Sequence, residues 1–130
     1  MKIKRYLCFM IQRVKSKGAT AEKDLFTCIC KTDMGVDVVK EFLFHPTRRW
    51  RFDYAIIEHR IAIEVEGGVY TRGRHVRPMG FLGDMEKYNS ATLLGWRIFR
   101  VTPDDLLRTK TINMIKEAIS TEKAFFLSQK

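Results

Sequence analysis

The stretch from Trp50 to Glu66 constrains the fold more tightly than any other part of the chain. Apolar and polar residues alternate on both sides of Glu58 and His59, the period of two that belongs to β-strands. If Glu58 and His59 form the turn of an antiparallel hairpin, Ile57 faces Arg60, Ala55 faces Ala62, Asp53 faces Glu64 and Arg51 faces Glu66. One face then carries Phe52, Tyr54, Ile56, Ile61, Ile63 and Val65, and the other carries charges beside two alanines. Carboxylates directly across a strand pair repel, so Asp53 and Glu64 need a cation, a proton or an arginine between them. Magnesium or manganese would supply that charge. Both prefer oxygen ligands and retain waters, which makes Asp53, Glu64 and the Val65 backbone carbonyl a candidate open site, with space beside the alanines. The alternative is a solvated strand face on which Arg51 simply pairs with Glu66.

The flanking segments predict the rest of the domain. A helix is expected after Gly18, with Thr20 as N-cap, Glu22 in the first turn and a stripe of Leu25, Phe26 and Ile29. Strands are expected at about 38–44, 50–57 and 60–66, followed by a glycine-punctuated loop. A second helix should run from about Phe81 to Leu94, with Phe81, Met85, Tyr88 and Thr92 on one side and Gly95 as its stop. A strand at Trp96 to Val101 follows. Thr102, Pro103, Asp104 and Asp105 then read as a helix start, leading into a final helix at about 104–125 that packs Leu106, Ile112, Ile115 and Ile119. The order αβββαβα predicts an α/β fold: one domain over residues 1–130, with its core at about 20–103 and a mixed sheet flanked by helices.

Lys and Arg number 24 against 15 Asp and Glu, a formal charge of +9 with a pI near 9.7, which favours a polyanionic partner. Candidate phosphate contacts are Arg48, Arg49 and Arg51, together with Arg72, Arg74, His75 and Arg77 in the loop beyond Gly67 and Gly68. The competing reading is a merely solvated basic surface. Trp50 and Trp96 begin apolar strands and are assigned to the core. Cys8, Cys28 and Cys30 lack the spacing of a disulfide framework or zinc knuckle, so a reduced cytoplasmic setting is expected, with Cys28 and Cys30 as core thiols. The apolar run from Tyr6 to Ile11 is too short for a signal peptide or a membrane span.

Several motifs, taken in order, resemble one known family. Glu41-Phe42-Leu43-Phe44-His45-Pro46 precedes Arg48-Arg49-Trp50-Arg51-Phe52-Asp53; Glu64-Val65-Glu66-Gly67-Gly68, Gly73-Arg74-His75 and Asp84-Met85-Glu86-Lys87-Tyr88-Asn89 follow. Together they resemble the PD-(D/E)XK nuclease superfamily, and within it small phage and bacterial endonuclease-like proteins related to very-short-patch-repair enzymes. The resemblance implies a restriction-endonuclease-like core and magnesium- or manganese-dependent hydrolysis of DNA phosphodiesters. The setting it implies is the cytoplasm of a bacterial or phage-infected cell, with no small-molecule cofactor. It places Asp53 and Glu64 as metal ligands and implies that Glu22 is directed at the metal, unless Glu22 is only a helix-start charge. Glu66 stands where the family has a lysine. That role passes to Lys87, the preferred candidate, or to His75, while Glu66 becomes a further metal ligand or the partner of Arg51. Two alternatives stay open: a Holliday-junction-type resolvase, which would need a homodimer, and a DNA-binding module of the same fold without catalysis.

Overall fold

The computed structural model describes residues 5, 6, 8, 24–67 and 78–128. Helix α1 (Leu25–Met34) starts where Asp24 and Thr27 form a capping box: the Asp24 carboxylate accepts the Thr27 amide at 2.9 Å, and the Thr27 hydroxyl accepts the Asp24 amide at 3.1 Å. Asp24, rather than the expected Thr20, therefore caps this helix. Thr20 and Glu22 themselves lie outside the described residues.

The remaining elements are β1 (Val39–Leu43), β2 (Arg51–Ile56), β3 (Ile61–Val65), α2 (Pro78–Leu93), β4 (Arg97–Val101) and α3 (Thr109–Ser128). They form a four-stranded mixed sheet in the order β1-β2-β3-β4, antiparallel except where the α2 crossover returns the chain to a parallel β3–β4 pair. The αβββαβα order is the expected one. The hairpin keeps its expected register, with Tyr54 opposite Ile63, Ala55 opposite Ala62 and Ile56 opposite Ile61. Its turn is longer than two residues: Ile57–His59 make a 3-10 turn closed by Arg60 at φ 50, because Glu-His cannot supply the positive φ angles that a two-residue hairpin turn requires.

Both faces of the sheet are covered. Phe26 and Cys30 of α1 and Ile112, Ile115 and Ile119 of α3 pack on Ile56, Ile61 and Ile63. The opposite face packs Ala55, Ala62 and Phe52 against Phe42, Phe44, Trp96 and Ala91 of α2. Two expectations are corrected here. Ala55 and Ala62 are 0% exposed, so they admit α2 and Trp96 rather than leaving open space. Phe52 lies on the α2 side instead of with Tyr54 and Ile56, and it stacks on Phe44 with ring centroids 4.0 Å apart. The physical reason lies at Glu41, whose φ of 49 interrupts the alternation of β1, so that Val39 and Phe42, three residues apart, meet the same cluster.

The inner side of α2 carries Lys87 and Ala91, with Leu94 just past its end, rather than Met85 and Thr92, both of which are exposed. Helix α3 begins at Thr109, later than expected, because Thr102 caps a separate turn in which its hydroxyl accepts the Asp105 amide at 3.3 Å. Cys30 is buried as expected, whereas Cys28 is exposed. Trp96 is buried at 4% exposure, and Trp50 is half-buried beneath the Arg48 guanidinium, 4.4 Å from its ring centroid. Among the described residues no helix is long and apolar enough to cross a membrane.

The left-handed backbone at Glu41 yields a stability test. Glu41→Gly should leave stability unchanged or raise it by up to about 1 kcal/mol, whereas Glu41→Val should cost about 1–2 kcal/mol. Urea unfolding of both variants measures this, and a valine variant as stable as the parent would contradict the assigned strain.

Candidate active site

The site forms where β2 and β3 separate. Pairing ends at Tyr54 and Ile63, and the next donor on β3, the Val65 amide, is taken by the side chain of Asp53, whose Oδ2 accepts it at 2.7 Å. Asp53 is thereby held against β3 at the level of Glu64. Regular alternation along β3 sends Ala62 into the α2 cluster, so Glu64 and Glu66 point towards α2 as well. Lys87, one turn before buried Ala91, projects from α2 onto Glu64 and donates to its Oε1.

Glu64 is the most unusual group in the structure, a carboxylate only 6% exposed. Burial is the largest influence on it and pushes its pKa up from 4.5 to about 7. Lys87 pulls the other way through its hydrogen bond and charge, while Asp53, close enough to share a proton, raises the value again. Two oxygen-donor carboxylates held side by side in a poorly solvated place suit a hard divalent cation that keeps some of its waters. Among the described residues, however, no group of three or more His, Cys, Asp or Glu side chains is gathered as a complete ligand set. What the structure shows of Val65 is its amide, bonded to Asp53.

Asp53 also lines an open depression of about 410 Å³ with Lys40, Glu41, Tyr54, Val65, Pro103 and Leu106. Its floor is ordered by Asp24, which accepts the Tyr54 hydroxyl at 2.6 Å and pairs with Lys40 at 3.3 Å. Partial burial tends to raise the Asp24 pKa, but the bonds from Tyr54, Thr27 and Lys40 outweigh it and hold the carboxyl below its ordinary value. Burial and the Asp24 carboxylate both push the Tyr54 phenol upward, so it stays protonated and able to donate.

Of the residues singled out from sequence, the structure thus brings together Asp53, Glu64, Val65 and Lys87. Glu66 is adjacent, but its partner is Arg100 of β4, with Nε to Oε1 at 2.7 Å, and not Arg51, which sits exposed on β2 at the other side of the hairpin. Arg48 and Arg49 are exposed, and Arg48 pairs with Glu86 of α2 at 3.1 Å. Glu22, Arg72, Arg74, His75 and Arg77 lie outside the described residues. Sequence reasoning missed Arg100, Tyr88, Lys40 and Asp24. The signal for Arg100 was available in principle: in the parallel β3–β4 pair it stands opposite Glu64, two positions after Ile98 on the α2 face. No protein-family model, curated protein or solved structure matches this chain.

The raised pKa of Glu64 has a definite consequence for the metal-free protein. Its folded value lies above its unfolded value, so the folded state holds the proton more tightly, and this contribution is full below pH 4.5 and lost as pH rises through about 7. Glu64→Gln removes that loss. The variant should gain stability relative to the parent between pH 5 and pH 8, by up to the order of 3 kcal/mol, in urea unfolding with a chelator present. A stability difference independent of pH would contradict the environment described for Glu64.

Proposed function

We propose that this chain is a metal-dependent DNA endonuclease with a restriction-endonuclease-like core, as its sequence motifs suggest. The observation that carries this reading is the adjacency of Asp53 and Glu64 at the end of a hairpin, with Lys87 bonded to the buried carboxylate. The strand and helix order supports it by matching the core that the motifs imply, and the net charge of +9 with exposed Arg48, Arg49 and Arg51 by suiting a polyanionic substrate.

In this reading Asp53 and Glu64 hold a magnesium or manganese ion, with the Val65 carbonyl as a further oxygen donor. Such an ion, when bound, supplies a water of lowered pKa and offsets charge on the attacked phosphate. The chain's own groups do the rest. Hydrolysis adds the water oxygen to phosphorus, breaks one phosphorus–oxygen ester bond and returns a proton to the departing oxygen. Lys87, already directed at this point from a helix whose inner side is packed, orients water and balances the charge that develops on phosphate. The Val65 amide fixes Asp53, so its orientation is set before substrate arrives.

That amide bond also determines which variants are informative. Asp53→Ala would leave the Val65 amide without its acceptor and confuse folding with chemistry, whereas Asp53→Asn preserves an acceptor oxygen. Asp53→Asn and Lys87→Gln, which keeps an N–H donor for the buried Glu64 carboxyl, should each lower magnesium-dependent cleavage by at least about 10²-fold while leaving the folded state intact. Cleavage rates on duplex, single-stranded and branched DNA check this. Full activity of either variant would rule out its assigned role, and a parent protein inactive on all three substrates with magnesium and manganese would leave a DNA-binding module without catalysis.

A further inference from the structure

We infer that Arg100 is a phosphate-contact residue of the proposed nuclease site, bringing a positive charge from β4 to the side of Glu64 and Glu66; this rests on the nuclease reading above. Glu66 follows Glu64 by two residues, just past the end of β3, so the chain puts a third acid beside Asp53 and Glu64. Arg100 brings a cation to these acids from the neighbouring strand. It lies opposite Glu64 in the parallel β3–β4 pair, and its Nε bonds the Glu66 carboxylate at 2.7 Å.

Three features suit this guanidinium to a phosphodiester. The side chain is 56% exposed, and β4 is the terminal strand of the sheet among the described residues, so a large substrate can approach from the open edge. The guanidinium lies over the Tyr88 ring, 5.1 Å from its centroid, which limits its conformations before anything binds. Arg100 and Tyr88 also border an open depression of about 290 Å³ with Thr92 and Ile98, on the same face of the sheet as Glu64. A planar fork with five N–H donors can bond Glu66 through Nε and still present donors to phosphate oxygens, which a lysine ammonium on a flexible stem cannot do with the same geometry. An ion pair this exposed contributes little to stability, so stability alone explains little of this arrangement.

Binding of a short fluorescent DNA duplex, measured by anisotropy in a chelator across a series of salt concentrations, separates a phosphate contact from a structural ion pair. Arg100→Ala should weaken binding about tenfold at low salt and reduce the slope of log affinity against log salt by about 1. Glu66→Lys combined with Arg100→Ala places a cation back beside Glu64 and should recover most of the lost affinity and slope, although it leaves the ion pair broken. Arg100→Ala with unchanged affinity and slope overturns the proposal, as does a double variant that regains no affinity while its thermal unfolding matches that of Arg100→Ala. Cleavage of the same duplex by the parent with magnesium is scored separately. If the parent binds but does not cut, the nuclease reading fails, while the Arg100 contact stands or falls on the binding data alone.

Discussion

Placing a carboxylate in a poorly solvated position next to another carboxylate raises the free energy of the folded chain, and much of the architecture around Glu64 can be understood as a response to that cost. Lys87 reaches Glu64 from α2 because the small side chains of Ala55, Ala62 and Ala91 let the helix lie close to the sheet. Asp53 is secured by the Val65 amide instead of turning away into water. Glu66, the next acid on the same face, is neutralised by Arg100 rather than by another helix residue. Acids and bases thus alternate across β3, β4 and α2, and the pairs that hold them come from segments distant in sequence.

The site depends on an irregularity in otherwise regular strands. Had β2 and β3 continued to pair beyond Tyr54 and Ile63, the Val65 amide would have met a backbone carbonyl and the Asp53 side chain would have been free to point elsewhere. The left-handed residue Glu41 on β1 belongs to the same disturbance, since it moves Phe42, and with it Phe52, onto the α2 face. A stack of Phe52 on Phe44 there supports the chain immediately before Asp53. Packing on one side of the sheet and hydrogen bonding at its end therefore act on the same few residues.

The parts of this arrangement that were legible in the sequence are those governed by short-range periodicity. Period two identified the hairpin and its register, whereas Lys87 came from the motif resemblance, the helical spacing having put Met85 and Thr92 on the inner face instead. Illegible were features set by tertiary context: the positive φ of Glu41, the 3-10 turn at Ile57–His59, the delayed start of α3 and the face of Phe52. Arg100 belongs with these. Its meeting with Glu66 depends on which strand neighbours β3 and in what register, and a parallel crossover fixes neither until the core has packed.

On the nuclease reading, Asp53 and Glu64 together form the seat of a divalent cation. Crystals soaked in manganese test this through the anomalous signal of the ion. The expected result is one peak in contact with both carboxylates, beside the Val65 carbonyl. Manganese located elsewhere, or no peak at this pair while Lys87 stays bonded to Glu64, would contradict it.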